Sequence, residues 1–208
     1  MPLPRRKSRV QKSMAGFKMN RSLERREKIM SFTIRQAVPA DARGYIRLIK
    51  DVLREQPPVD TPYAPNEFAP PVERIAERIA EVALSENSLF LVAEADRTIV
   101  GTLTCGGGTL KADQHMTALG IYVAKRWRDQ GIGKALMTRC VEWAQASPLV
   151  ERVELEVYAH NARAIHLYEQ FGFEREGCKR CLYYQNGQPI DMLIMALLLP
   201  QKRHTEKQ

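Results

Sequence analysis

One stretch limits what this chain can fold into more than any other. "LGIYV" (residues 119–123) is an apolar run of strand length, and "RDQGIGKALM" (residues 128–137) follows it, with two glycines one residue apart ahead of a leucine-bearing helical pattern. A strand therefore passes through a glycine turn into a helix. Glycine lets such a turn bring backbone N–H groups close to a ligand, and the helix adds the positive end of its dipole, so the stretch is a candidate anion cradle. Two familiar phosphate motifs fail here. A P-loop needs GxxxxGK[ST], but Arg128 stands where its first glycine belongs and Ala135 replaces the Ser/Thr that reaches magnesium. A dinucleotide fingerprint needs GxGxxG, and Leu136 occupies its third glycine position.

The rest of the chain supplies the context. "FTIRQA" from Phe32 alternates as a half-buried strand does, and a helix with Asp41 near its start follows. Residues 56–71 carry six prolines in sixteen positions and read as a long, partly stiff loop. A second helix is expected over 71–85, then two strands across an Asp96-Arg97 turn, the second ending near the glycine triplet Gly106 to Gly108. After the glycine turn come a helix from about Gly131 through Ala146, a strand "VERVELEVYAH", a short helix "NARAIHLYEQFGF" and a closing hairpin "CLYYQNGQPIDMLIMALLL" turned at Asn186-Gly187. The order is βααβββαβαββ, without internal repeats.

Charge bears on the choice of partner. The net charge of +8 sits in residues 1–30, which hold ten Lys/Arg against two Asp/Glu, leaving 22 of each in the remainder. The body is thus electroneutral, and residues 1–30 are read as a disordered basic extension rather than part of a nucleic-acid groove. Met30, directly ahead of "SFTIRQA", is an expected alternative start. No apolar stretch is long enough to span a bilayer, so a cytoplasmic protein without a membrane partner is expected. Cys105, Cys140, Cys178 and Cys181 are too few and scattered for a disulfide scaffold, and the CxxC at 178–181 lacks the second pair or the spaced histidines of a zinc site. No metal is expected.

The combination of "LGIYV", RxxGxG and "NxxAxxLYxxxGF" (Asn161, Ala164, Leu167, Tyr168, Gly172, Phe173) resembles the GNAT superfamily of acetyl-CoA-dependent N-acetyltransferases. The element order fits that family over residues 32–198. The resemblance implies an α/β (α+β) fold with a mixed, mostly antiparallel sheet flanked by helices, strands four and five splayed. It implies a domain at 31–199, with 1–30 and 200–208 as extensions. It further implies transfer of an acetyl group from acetyl-CoA to a primary amine by direct attack, a homodimer being an allowed assembly and nucleic acid an unexpected partner. Two other readings stay open: an acyl-CoA-binding module without catalysis, and a nucleic-acid-associated protein using the basic arm.

Site residues follow from the same resemblance. Backbone N–H groups of Gln130, Gly131, Ile132, Gly133 and Lys134 would hold the diphosphate, with Arg128 and Lys134 as supporting cations and Asp129 in the same binding loop; Ile121 and Val123 would offer a strand edge to the pantetheine arm. Asn161 would cap a helix and bond the pantetheine. Tyr168 would protonate the departing thiolate, and a strand-four backbone N–H would stabilise the oxyanion. The family's strand-four glutamate position falls on Thr117, which cannot act as a base; His115, Glu154, Glu156, Asp191 or a water chain are the substitutes, and none is singled out. The acceptor would lie between the proline-rich loop and the final hairpin. Alternation allows at most one of Tyr183 and Tyr184 to line it, the other going to the core.

Overall fold

The computed structural model of the chain describes residues 31–56, 61–63, 66–185 and 187–200. Its strands are β1 (Thr33–Gln36), β2 (Leu89–Ala95), β3 (Thr98–Gly107), β4 (Met116–Val123), β5 (Arg152–Tyr158), β6 (Glu174–Gln185) and β7 (Gln188–Leu198). The helices are α1 (Ala42–Leu53), α2 (Val72–Ala83), α3 (Ile132–Ala146) and α4 (Ala162–Gln170), so the element order is the expected one. The strands form one sheet in the order β1-β2-β3-β4-β5-β7-β6. Every neighbouring pair is antiparallel except β4 and β5, which are parallel. Between β2 and β3, Asp96 and Arg97 take φ of 48° and 57°, the left-handed values a two-residue hairpin turn demands. None of the described helices is long and apolar enough to cross a membrane.

Both faces of β2 are covered. Phe90 and Val92 pack with Ile46 of α1 and with Ile75 and Ile79 of α2. On the opposite face lies α3: a Cβ placed on Gly101 of β3 would stand 3.0 Å from Ile132, 3.4 Å from Leu136 and 3.3 Å from Ala93. Ile132, Leu136 and Met137 are fully buried there, each such side chain contributing about 1.5–3 kcal/mol. Cys140 of α3 meets Cys105 of β3 with sulfurs 3.5 Å apart, and both thiols are free.

The first helix is fastened at both ends. Arg35 of β1 pairs with Asp41 at 2.6 Å and with Glu94 of β2 at 2.7 Å, and its guanidinium holds the Asp41 carboxyl below the usual range. Just past the other end, Glu55 reaches Arg128 at 2.7 Å.

The closing hairpin corrects one expectation and lengthens another. Its first strand begins at Glu174 rather than Cys181, and it is exposed along nearly its whole length. Register shifts interrupt its pairing with β7, one of them between Lys179 and Tyr183. In that bulge Cys181 has φ 53°, and its N–H donates to Asp191 Oδ1 at 2.8 Å. Tyr183 stacks on Tyr158 with ring centroids 6.1 Å apart. Tyr184 does not enter the core: it is 72% exposed, because this edge strand has a face that no helix covers. Of the expected turn, Gly187 has φ 75°, and Asn186 lies outside the described residues.

Candidate active site

Strands β4 and β5 pair over only three positions, Met116–Arg152, Thr117–Val153 and Ala118–Glu154. Beyond Ala118 the strands part, while β4 stays paired to β3 as far as Val123. The N–H of Ala124 bonds the Val100 carbonyl on the β3 side at 2.9 Å. Backbone groups alternate sides along a strand, so those of Ile121 and Val123 point into the gap. One is already taken, since Arg128 Nε donates to the Val123 carbonyl at 2.9 Å.

At the top of the gap the chain turns through Asp129 (φ 61°) and Gly131 (φ 83°), both left-handed. Gly131 is the N-cap of α3, and the first helical bond runs from Ala135 N–H to the Gly131 carbonyl at 2.9 Å. The N–H groups of Ile132, Gly133 and Lys134 precede that bond, so the helix ladder does not use them. Ile132 puts its side chain into the core, and only its backbone belongs to the turn. The Gln130 side chain donates to the Arg126 carbonyl at 2.7 Å, leaving its backbone as the part that shapes the loop. A Cβ on Gly133 would meet only Leu167 Cδ2, at an ordinary 3.5 Å. The fold itself would accept alanine there. What the glycine preserves is room on the open side of the helix start.

Arg128 is committed rather than loose. Besides Val123 it approaches Glu55 Oε2 at 2.7 Å, without the alignment of a hydrogen bond. Glu55 Oε1 accepts from the Lys125 N–H at 3.0 Å, and Lys125 Nζ donates to the Gln56 carbonyl. The end of α1 is thereby tied to the turn that leads into α3.

The opposite wall is α4. Asn161 caps it, its Oδ1 accepting from Ala164 N–H at 3.1 Å. Two turns on, Tyr168 is buried beside Phe173, with centroids 6.0 Å apart. Burial pushes its phenol well above the ordinary value, and the neighbouring Tyr122 adds to that. Between the walls lies a cleft of about 810 Å³ bordered by Ile121, Gly133, Lys134, Asn161 and Tyr168 among others. A second cleft, about 710 Å³, lies across Glu55 and is bordered by Arg47, Arg126 and Trp127; it has neither the open strand edge nor the helix start. Both features belong to the first cleft.

Thr117 is fully buried, and its hydroxyl has no partner but the nearby Cys105 thiol. Each residue considered as a substitute base is already occupied or distant. The Glu154 carboxylate pairs with Arg152 at 3.1 Å, that of Glu156 with Lys179, and Asp191 holds the β6 bulge. His115 sits at the closed end of the splay, where its carbonyl accepts from Glu151 and Arg152.

Sequence reasoning missed Glu55, Tyr122 and Arg163. Tyr122 stands opposite Thr102, which stands opposite Val92; directly paired residues share a face, so its ring lies on the α1/α2 side, where burial raises its phenol. Arg163 of α4 meets Asp129 of the turn at 3.1 Å across the cleft. Its place two residues after Asn161 was a usable signal. Glu55 carried none.

Comparison with known proteins bears on this arrangement. Residues 48–173, more than half of the chain, match the model of the acetyltransferase (GNAT) family. The chain belongs to that family, and its alignments span less than two thirds of the length of the first curated relatives it matches. It is 37% identical over 106 residues to an L-amino acid N-acetyltransferase of Escherichia coli, an alignment that takes in 51% of this chain and 65% of that protein. Among solved structures, a GNAT acetyltransferase from Streptococcus pneumoniae superposes with a TM-score of 0.77 at 29% identity, covering 81% of this chain and all of the other. A phosphinothricin acetyltransferase from Sinorhizobium meliloti, solved with AcCoA, shares the fold with a TM-score of 0.71 at 23% identity, covering 85% and 93%.

Proposed function

We propose that this protein transfers an acetyl group from acetyl-CoA to a primary amine, with residues 31–199 as the catalytic domain and the 810 Å³ cleft as the donor site. The observation that carries the reading is the open edge of β4 beside the start of α3. Three paired residues leave the stretch from Leu119 to Val123 without a partner on one side, and a pantetheine arm has the amides to lie along such an edge as an added strand would. The N–H groups of Ile132, Gly133 and Lys134 then face the diphosphate, at the positive end of the α3 dipole and with Lys134 in its first turn. Asn161 keeps Oδ1 on its cap and has Nδ2 to offer a pantetheine carbonyl. Arg128 acts through the Val123 carbonyl and Glu55 as a brace for the turn.

In the reaction the neutral amine attacks the thioester carbonyl, the carbonyl oxygen takes up charge beside a β4 N–H, and the C–S bond breaks. The amine's proton leaves to solvent. Tyr168 gives its phenolic proton to the sulfur and regains one from solvent before the next turnover. The raised phenol keeps that proton across the physiological range. An ordinary phenol near 10 donating to a thiolate near 8.5 faces roughly 2 kcal/mol uphill, and because burial raises a thiolate held in the same place as well as the phenol, the site adds little to that gap. For the acceptor, the E. coli relative directs attention first to the α-amine of an amino acid.

Calorimetric titration with acetyl-CoA, paired with thiol release over a set of amines, tests the reading. Saturable heat and amine-dependent thiol release are expected. A protein that gives no heat and no rise in melting temperature with acetyl-CoA is not this enzyme.

A further inference from the structure

The ion pair across the mouth of the cleft is the feature the function above leaves unused. Asp129 stands at the tip of the glycine turn in a left-handed conformation, φ 61°. Its carboxylate is 81% exposed, and its partner Arg163, on the first turn of α4, is 57% exposed, at 3.1 Å. Both residues border the same cleft as Gly131, Gly133 and Lys134. A carboxylate beside an anion cradle opposes the ligand the cradle is shaped for, unless something neutralises it. An exposed pair of this kind holds together only weakly, whereas a guanidinium binds phosphate oxygens in a two-pronged, charge-assisted way.

The other cations bordering the cleft are differently placed. Arg128 is engaged by Glu55 and the Val123 carbonyl, and Lys125 by the Gln56 carbonyl. Lys134 already stands in the first turn of α3, whereas Arg163 pairs with a carboxylate that is itself mostly in solvent. Its guanidinium already reaches from the α4 wall to the turn, so exchanging partner needs a movement of side chains and none of backbone.

We propose that Arg163 is a phosphate-binding residue of the donor site, held beside the glycine turn by Asp129 until a phosphate group of the donor takes the carboxylate's place. The proposal rests on the acetyl-CoA reading. It adds a ligand from α4 to a site otherwise made by the turn, and it gives Asp129 the role of a competitor that the donor displaces. The phosphate concerned is the diphosphate or the 3′-phosphate, which present the same chemistry.

Binding of CoA and of dephospho-CoA, which lacks the 3′-phosphate, should be measured by calorimetry on the full-length wild type and on R163Q and D129N. Asparagine at 129 tolerates the left-handed backbone, and both residues lie at the surface, so the variants should keep the wild-type melting temperature. R163Q should weaken CoA by about tenfold or more, as loss of a charged hydrogen bond does, and D129N should tighten it by about two- to fivefold, the strength of an exposed pair. Weakening of CoA alone in R163Q assigns the 3′-phosphate; equal weakening of both ligands assigns the diphosphate. Wild-type affinity in R163Q overturns the proposal, and so does a D129N that weakens binding as much as R163Q, since the pair would then be a brace. A wild type that binds neither ligand instead removes the donor reading itself.

Discussion

The two sides of the cleft are made in different ways. From β4 through α4 the site is largely backbone: an unpaired strand edge, a turn with two left-handed residues, a helix start and a capped second helix, all within residues 116–170. On the side of α1 and the closing hairpin, positions are held by side chains that come together from far along the chain, as when Glu55 meets Arg128 or Asp191 supports the Cys181 bulge. Backbone features tolerate substitution of most side chains around them and fail when the conformation itself is blocked. Side-chain braces behave the other way, each with one or two residues whose replacement releases it. The backbone-built side can thus stay constant while the other is rebuilt.

Three variants sharpen that contrast. The largest effect is expected from Y168F, which removes the hydroxyl proposed to protonate the leaving thiolate: turnover should fall by about 10²–10⁴-fold while acetyl-CoA affinity stays put. Unchanged turnover would take Tyr168 out of the mechanism. The same variant has a pH signature. The fold raises this phenol, so above about pH 10, where an unfolded tyrosine releases its proton, the folded state holds more protons and stability falls as pH rises. Denaturant midpoints of wild type and Y168F should differ by a constant amount from pH 7 to 9, and wild type should lose ground to the variant above 10.

Next comes E55A, which removes a brace. Arg128 and Glu55 keep 24% and 10% of their side chains exposed, so the loss is reduced by solvent to about 1–2 kcal/mol. A fall of a few degrees in Tm and a weaker hold on acetyl-CoA are expected together. If both stay at wild-type values, α1 does not support the turn. The smallest effect belongs to T117V. Its buried hydroxyl has only the Cys105 thiol beside it, a weak partner, and an isosteric methyl should change stability by about 0–1 kcal/mol, with turnover unaltered. A tenfold loss of turnover would mean that the hydroxyl carries a proton after all.

What could be read from the sequence divides along the same line. The strand, the glycine turn and the Asn161 cap are local patterns, and the family resemblance they carry pointed to Ile121, Gly131, Gly133, Asn161 and Tyr168, which border one cleft. Local conformation leaves local marks. Glu55 and Tyr122 left none, because their roles depend on which distant element the sheet brings beside them. The start of β6 was hidden for another reason: Glu174 to Arg180 is polar and exposed, with a register shift inside it, so neither an apolar alternation nor a helical period announces a strand. Tyr184 was misplaced because alternation gives the face of a residue and says nothing about whether that face is covered.

The three-residue seam between β4 and β5 has a mechanical side. Two portions of the sheet, β1 to β4 and β5 to β6, are sewn together along less than half the length of β4. A donor lying in the gap would act as a temporary stitch, finishing the hydrogen bonding that the polypeptide leaves undone. Resistance to heat in such a protein would rise and fall with the supply of its own co-substrate.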